Sequence, residues 1–334
     1  MFNKLYTRFK NFIKENYKFL IFLVVFTVAM TVRLPWSIYA PGGTIDVRER
    51  MTGDIKDKEG SLYLTYVSFI EGTIPTLLLA NILPEWDIIS NDDLTLEGEE
   101  FNDSLVRDRI YLYESVSNAT YVAYTAAEKE INIDDTNNYV TYILDDAITD
   151  LHVGDIILSY DEIPFTEFEQ FQDYIGNQEV GDRIDLLVER NGKEINCYAE
   201  IIEITDLKKI GLTISTVYDF SKNPDITYSY DTSESGSSGG LMLTLSFYNS
   251  LIDEDITGGK KISGTGTIDL DGNVGEIGGV KYKLAGAVRE GSDVFIVPSD
   301  NYKEAKKVKE EHDYDIELIE AITFDQVLEE LKKL

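Results

Sequence analysis

Residues 233–240 read Ser-Glu-Ser-Gly-Ser-Ser-Gly-Gly, and the apolar run Leu-Met-Leu-Thr-Leu-Ser-Phe-Tyr-Asn-Ser-Leu-Ile (241–252) follows with no polar spacer. A flexible Gly/Ser linker is one outcome for such a composition. A linker, however, seldom butts directly onto a core helix, and the run that follows is apolar on every side, the mark of a buried helix. The junction is therefore expected to be a tight turn at a helix start. There, backbone N–H groups can converge on an anion, including a developing oxyanion.

Few other residue types are available for chemistry. Cys197 is the only cysteine, which excludes an intrachain disulfide, a Cys-rich zinc site and a cysteine-pair redox centre. His152 and His312 are the only histidines, and no H-E-x-x-H, Walker-type or dinucleotide-binding glycine motif is present. Neither a metal nor any other cofactor is expected. Sixty-one acids against thirty bases give a formal charge of −31, which argues against a nucleic-acid partner. At 334 residues, two or three domains are expected.

The amino terminus differs from the rest. Residues 1–18 carry Lys4, Arg8, Lys10, Lys14 and Lys18 against Glu15 alone, a local +4, so the remainder sums to −35. Residues 19–32 are fourteen without a charge, and after Arg33 the apolar character resumes to Ala40, with Trp36 and Tyr39 as interfacial anchors. A cleaved signal peptide is the rival, but Ile38 and Ala40 do not make a small-x-small cleavage site. The expectation is a transmembrane anchor over 19–40, with residues 1–18 a cytoplasmic tail, the protein in the cell membrane and the acidic bulk outside. Residues 41–118 form an extracytoplasmic segment of no evident role.

From residue 138 the texture changes. Tyr139, Val140, Thr141 and Tyr142 open a strand, Val153-Gly-Asp-Ile-Ile-Leu a turn and strand, and Asp161 to Pro164 a further turn. Phe165, Phe168, Phe171 and Ile175 follow at helical spacing, and residues 181–194 alternate up to an Asn191-Gly192 hairpin. This order resembles a bacterial PDZ domain over about eighty residues, expected with its preceding helix at 119–205. The resemblance implies that a peptide adds as an extra strand beside Tyr139, Val140, Thr141 and Tyr142. The usual carboxylate-binding loop is absent before Tyr139, where Asp135-Thr-Asn-Asn138 stands.

Two serine-hydrolase patterns compete for the Gly/Ser turn. Gly236-x-Ser238-x-Gly240 matches a nucleophile elbow, but the residues before it are polar, and His312, the only later histidine, lies in a charged stretch. The alternative base is a lysine. Gly236-Ser-Ser-Gly-Gly240, Gly264-Thr-Gly266, the Asp271-Gly272 turn, Ile277-Gly-Gly279, Lys281-x-Lys283 and Phe295-Ile-Val-Pro298 together resemble the proteolytic domain of the Lon family of Ser–Lys proteases. The similarity runs from about Pro224 to the end, with the domain expected at 206–334. The resemblance implies Ser238 as nucleophile, Lys283 as general base, Thr265 beside the lysine, and Gly236 and Gly239 in support. Helical projection alone does not choose between Lys281 and Lys283, and Ser237 and Ser235 are alternative hydroxyls; Lys260 and Lys261 read as surface lysines.

The expected architecture is thus α+β and multidomain: one transmembrane helix, a PDZ domain and a Lon-type proteolytic domain. It resembles the membrane-anchored Lon-like PDZ peptidases, some of which process secreted peptide pheromones. The resemblance implies an ATP-independent serine endopeptidase acting on exported or membrane-proximal proteins and peptides, without nucleotide, with homo-oligomer formation an open expectation. The PDZ domain would capture substrate or gate the site. An inactive PDZ scaffold is the different-class alternative.

Overall fold

The protein is described by a computed structural model over residues 2–53, 55–220 and 226–334. Pro224, the expected start of the catalytic similarity, lies outside the described residues. The backbone separates into two units: Met1–Pro41 with Val67–Asp93, and Gly42–Tyr66 with Leu94–Leu334.

In the first unit one continuous helix, Phe2–Thr31, is followed by the strand Trp36–Asp46. Among the described residues no helix is long and apolar enough to cross a membrane, which overturns the expected anchor at 19–40. Residues 19–31 are the longest uncharged run of the helix, about 20 Å at 1.5 Å per residue, short of the roughly 30 Å hydrocarbon layer. Lys14, Glu15 and Lys18 lie immediately upstream. The apolar residues beyond Arg33 leave the helix and enter a sheet. Trp36 pairs Ser90 and Tyr39 pairs Asp87 in an antiparallel ladder, Ile38 is fully buried, and Tyr39 packs edge-on against Phe69. The aromatic pair read as membrane anchors therefore belongs to a strand.

The second unit is mixed α/β. Lys261–Gly264 pairs in parallel with residues 61–64 on one side and with Val294–Pro298 on the other, and Val294–Pro298 pairs in parallel with Glu317–Ala321. Parallel strands buried on both faces read as unbroken apolar runs, as Val294–Pro298 does. Ile262, Val294 and Ile296 join a core with Leu241, Met242 and Leu245 of helix Gly240–Leu251 and with Leu112, Val116 and Ala119 of the long helix Phe101–Ala126. Phe295 and Val297 face the other way, onto Val280, Leu284 and Ala287 of helix Val280–Arg289. Because side chains alternate along a strand, the two helices flank opposite faces of the sheet.

The remaining sheet is antiparallel, in the order Leu212–Asp219, Asp135–Ile143, Ile156–Tyr160, Arg183–Arg190, Lys193–Glu200. Its core gathers Val140, Ile157, Phe171, Ile175, Leu186 and Val188, so Phe171 and Ile175 of helix Phe168–Gly176 are core residues while Phe168 is exposed. Two expected boundaries shift. This sheet runs past residue 205, because Leu212–Asp219 pairs along the length of Asp135–Ile143. Residues 41–118 are no separate segment, since 61–64 supply a strand and Phe101–Ala126 packs on the core that holds helix Gly240–Leu251.

Candidate active site

Residues 236–240 form a compact turn into helix Gly240–Leu251, and its backbone is held from three directions. Gly236, at φ 83°, donates its N–H to the Asp108 carbonyl at 2.8 Å. The Ser237 carbonyl accepts from Gly240 N–H at 3.1 Å and from the Ser115 hydroxyl at 3.1 Å. The Ser238 carbonyl accepts from Gly266 N–H at 2.8 Å and from Thr265 Oγ1 at 2.9 Å. The Gly266 carbonyl in turn accepts from Leu241 N–H at 3.0 Å. Neither the Ser238 hydroxyl nor the N–H of Ser238 or Gly239 has a hydrogen-bond acceptor among the described residues.

The glycines have different reasons to be there. A Cβ at Gly240 would sit 2.8 Å from Ser115 Oγ and 2.9 Å from Ile268 Cγ2, so the turn docks too closely for a side chain. Gly239 caps the helix at φ −90°, and a Cβ there would meet nothing nearer than Leu64 at 3.8 Å. Gly240, absent from the sequence-based support list, is therefore the sterically required member. Its signal was present in the motif but could not be separated from its neighbours.

Lys283 arrives from the other side of the sheet. Gly279, in the left-handed region at φ 74°, starts helix Val280–Arg289 and turns Lys283 inward, where it is only 4% exposed. Its Nζ donates to Thr265 Oγ1 at 3.0 Å. Thr265 follows the end of strand Lys261–Gly264 and extends the ladder through its own N–H to Ile296 O at 3.0 Å. The fully buried Thr265 is thus the junction between the lysine and the Ser238 backbone. Burial in low dielectric disfavours the ammonium and lowers the Lys283 pKa from 10.5 to about 7.

The other candidates are placed differently. Lys281 is partly exposed, its Nζ 4.9 Å from the Tyr282 ring centre. Lys260 pairs with Glu317 at 3.6 Å, while Lys261 donates to the Glu290 carbonyl and lies over Tyr63. His312 is exposed at the end of helix Ser299–Glu311 and stacks on Tyr314. The strand nearest before the turn is Ile226–Tyr228, and residues 229–239 contain none, so the strand–serine–helix of a nucleophile elbow is missing. Ser235 is exposed, and Ser237 contributes its carbonyl to the turn. Glu234 is turned away, held by Arg50 at 2.7 Å and Tyr228 at 2.9 Å. Among the described residues no group of His, Cys, Asp and Glu is placed to hold a metal ion.

Residues 230–333 match the Lon protease (S16) C-terminal proteolytic domain. That match supports a serine protease function. The chain is 33% identical over 114 residues to a Lon protease of Clostridium acetobutylicum, covering 33% of this chain and 14% of that protein. It is 32% identical over 98 residues to a mitochondrial Lon protease homolog of Phaeodactylum tricornutum, covering 29% of this chain and 11% of that protein. The chain therefore spans only a small part of these relatives. Among solved structures it is similar to the PDZ domain of an SdrC-like protein from Listeria monocytogenes, at 26% identity and a TM-score of 0.22, covering 25% of this chain and 92% of that one.

Tyr139, Val140, Thr141 and Tyr142 do not offer the expected open edge. Their strand is interior: Tyr139 pairs with Ser215 on one side and with Ile156 on the other, and Thr141 is fully buried. The strand that closes one edge, Leu212–Asp219, comes about seventy residues later in the chain, and such non-local pairing leaves no local signal. The terminal strand of the sheet on that side is Leu212–Asp219 itself.

Proposed function

We propose that this protein is an ATP-independent serine endopeptidase in which Ser238 is the nucleophile and Lys283 the general base. One observation carries the proposal: a lysine 4% exposed, with its pKa lowered to about 7, is tied through Thr265 to the backbone of the residue that bears the hydroxyl. A serine hydroxyl is a weak nucleophile until a base takes its proton, and a lysine can do so only when neutral. In the proposed cycle neutral Lys283 accepts the Ser238 proton as Oγ attacks the scissile carbonyl. The protonated lysine returns that proton to the leaving amine, giving an acyl-enzyme, and water activated by the same amine hydrolyses the ester. The N–H groups of Ser238 and Gly239, at the start of helix Gly240–Leu251, are the donors nearest the developing oxyanion.

The substrates proposed are unfolded or short peptide segments, since no unfolding step is available in the proposed cycle. Capture of such segments, or gating of the site, is assigned to the PDZ-like antiparallel sheet. The test compares Ser238→Ala, Lys283→Ala, Lys281→Ala and His312→Ala on an unstructured peptide. The first two abolish cleavage and the last two spare it. Loss with His312→Ala returns the nucleophile elbow to consideration, and failure of the unaltered protein to cleave any peptide leaves a peptide-binding module.

A further inference from the structure

The matched domain begins at residue 230, yet part of the catalytic turn is held by a side chain far upstream. Ser115 lies in the middle of helix Phe101–Ala126, is 2% exposed, and donates its hydroxyl proton to the Ser237 carbonyl at 3.1 Å. That carbonyl also accepts from Gly240 N–H, so both of its acceptor positions are used.

A trans peptide is planar, and its C=O and N–H point in opposite directions; no peptide bond among the described residues is cis. Drawing the Ser237 carbonyl toward Ser115 therefore turns the Ser238 N–H away from the helix. The next peptide is held in the same manner. The Ser238 carbonyl is fixed by Thr265 and Gly266, which turns out the Gly239 N–H. Two successive peptide planes are locked by their carbonyls, and their two N–H groups are those left without an acceptor among the described residues. The second lock comes entirely from residues 265–266, whereas the first is shared between Gly240 N–H of the turn and Ser115 of the long helix.

We infer that Ser115 is a positioning residue for the peptidase reaction: it sets the Ser237–Ser238 peptide plane and so presents the Ser238 N–H to the oxyanion. This rests on the proposed Ser238–Lys283 chemistry. Two neighbouring contacts reinforce the same helix as a brace: the Asp108 carbonyl accepts the Gly236 N–H, and Arg109 donates to the Asp231 and Thr232 carbonyls at 2.8 and 2.7 Å. The near contact of Gly240 with Ser115 Oγ leaves no room for a larger group at either position.

The test uses Ser115→Ala in the full chain, which adds no atoms, with Thr120→Val as control. Thr120 is buried in the same helix, but its hydroxyl bonds within that helix, to Val116 O. Removing an oxyanion donor costs on the order of 100-fold or more in kcat, and loss of its orientation is expected to cost about 10-fold. Ser115→Ala is therefore expected to lower kcat about 10-fold with KM unchanged, and to weaken binding of a peptide boronate by a similar factor. The pH midpoint stays with Lys283. Thr120→Val keeps kcat, boronate affinity and KM near the unaltered values. Equal kcat and boronate affinity in Ser115→Ala and the unaltered protein overturn the inference, as does an equal loss in Thr120→Val. If Ser238→Ala cleaves as well as the unaltered protein, the peptidase proposal itself fails, which is a separate outcome.

Discussion

Lys283 and Thr265 meet at 3.0 Å around the end of a strand, although their helix and turn lie eighteen residues apart in sequence. The threonine is the only hydrogen-bond acceptor for the amine among the described residues, and its hydroxyl in turn donates a hydrogen bond to the Ser238 carbonyl. Replacing it removes both links at once. Thr265→Val keeps the shape and loses the hydroxyl, and is expected to reduce kcat by about 10- to 100-fold, whereas Thr265→Ser retains most activity. Steady-state kinetics on one peptide check this; equal rates for the valine and serine variants would remove Thr265 from the site.

The proposed Lys283 base acts only in its neutral form. With its pKa lowered by burial to about 7, the competent fraction rises with pH through that value. The expected kcat/KM profile is half-maximal near pH 7 and falls roughly tenfold per pH unit on its acid side. An acid limb flat down to pH 5 contradicts a lysine base.

The same burial opposes folding. In the unfolded chain this lysine keeps its proton up to about 10.5, and in the folded chain only up to about 7. Between those values the unfolded state binds more protons, so stability from this group increases as pH rises and is poorest below about 7. Lys283→Met is therefore expected to raise Tm, and by more at pH 6 than at pH 10, while abolishing cleavage. Calorimetry at the two pH values checks the sign.

Adjacent glycines give opposite outcomes. Gly240→Ala forces a methyl against Ser115 and Ile268, with an expected cost of about 1–3 kcal/mol and loss of activity. Gly239→Ala finds ordinary van der Waals distance to Leu64, retains the backbone N–H and keeps activity within a few-fold. Denaturant unfolding and peptide cleavage measured on both variants distinguish them.

Much of the local structure at the candidate site was legible because its signals are local. The Gly/Ser run against an apolar stretch marks the turn and helix Gly240–Leu251, and the left-handed Gly279 marks the start of the lysine helix. Helical projection did not separate Lys281 from Lys283, because both flank the same apolar stripe and only the packed sheet decides which is buried. The membrane span was misread because a hydropathy run crosses a change of secondary structure: residues 19–31 are helix, and residues 36–40 belong to a strand whose partner, Asp87–Ser90, lies some fifty residues away. The interior position of Tyr139 to Tyr142 and the brace from Ser115 were hidden likewise, each depending on a partner distant in sequence.

The pairing of Lys261–Gly264 with residues 61–64 bears on any attempt to obtain a minimal enzyme. A truncation beginning near residue 230 would retain both members of the proposed dyad, but it would strip a neighbour from an interior parallel strand. The bared edge of Lys261–Gly264, whose residues 262–264 are buried, would be a template for self-association. Useful cloning limits therefore follow the sheet, and a shortened version has to keep the strand Trp36–Asp46 whole.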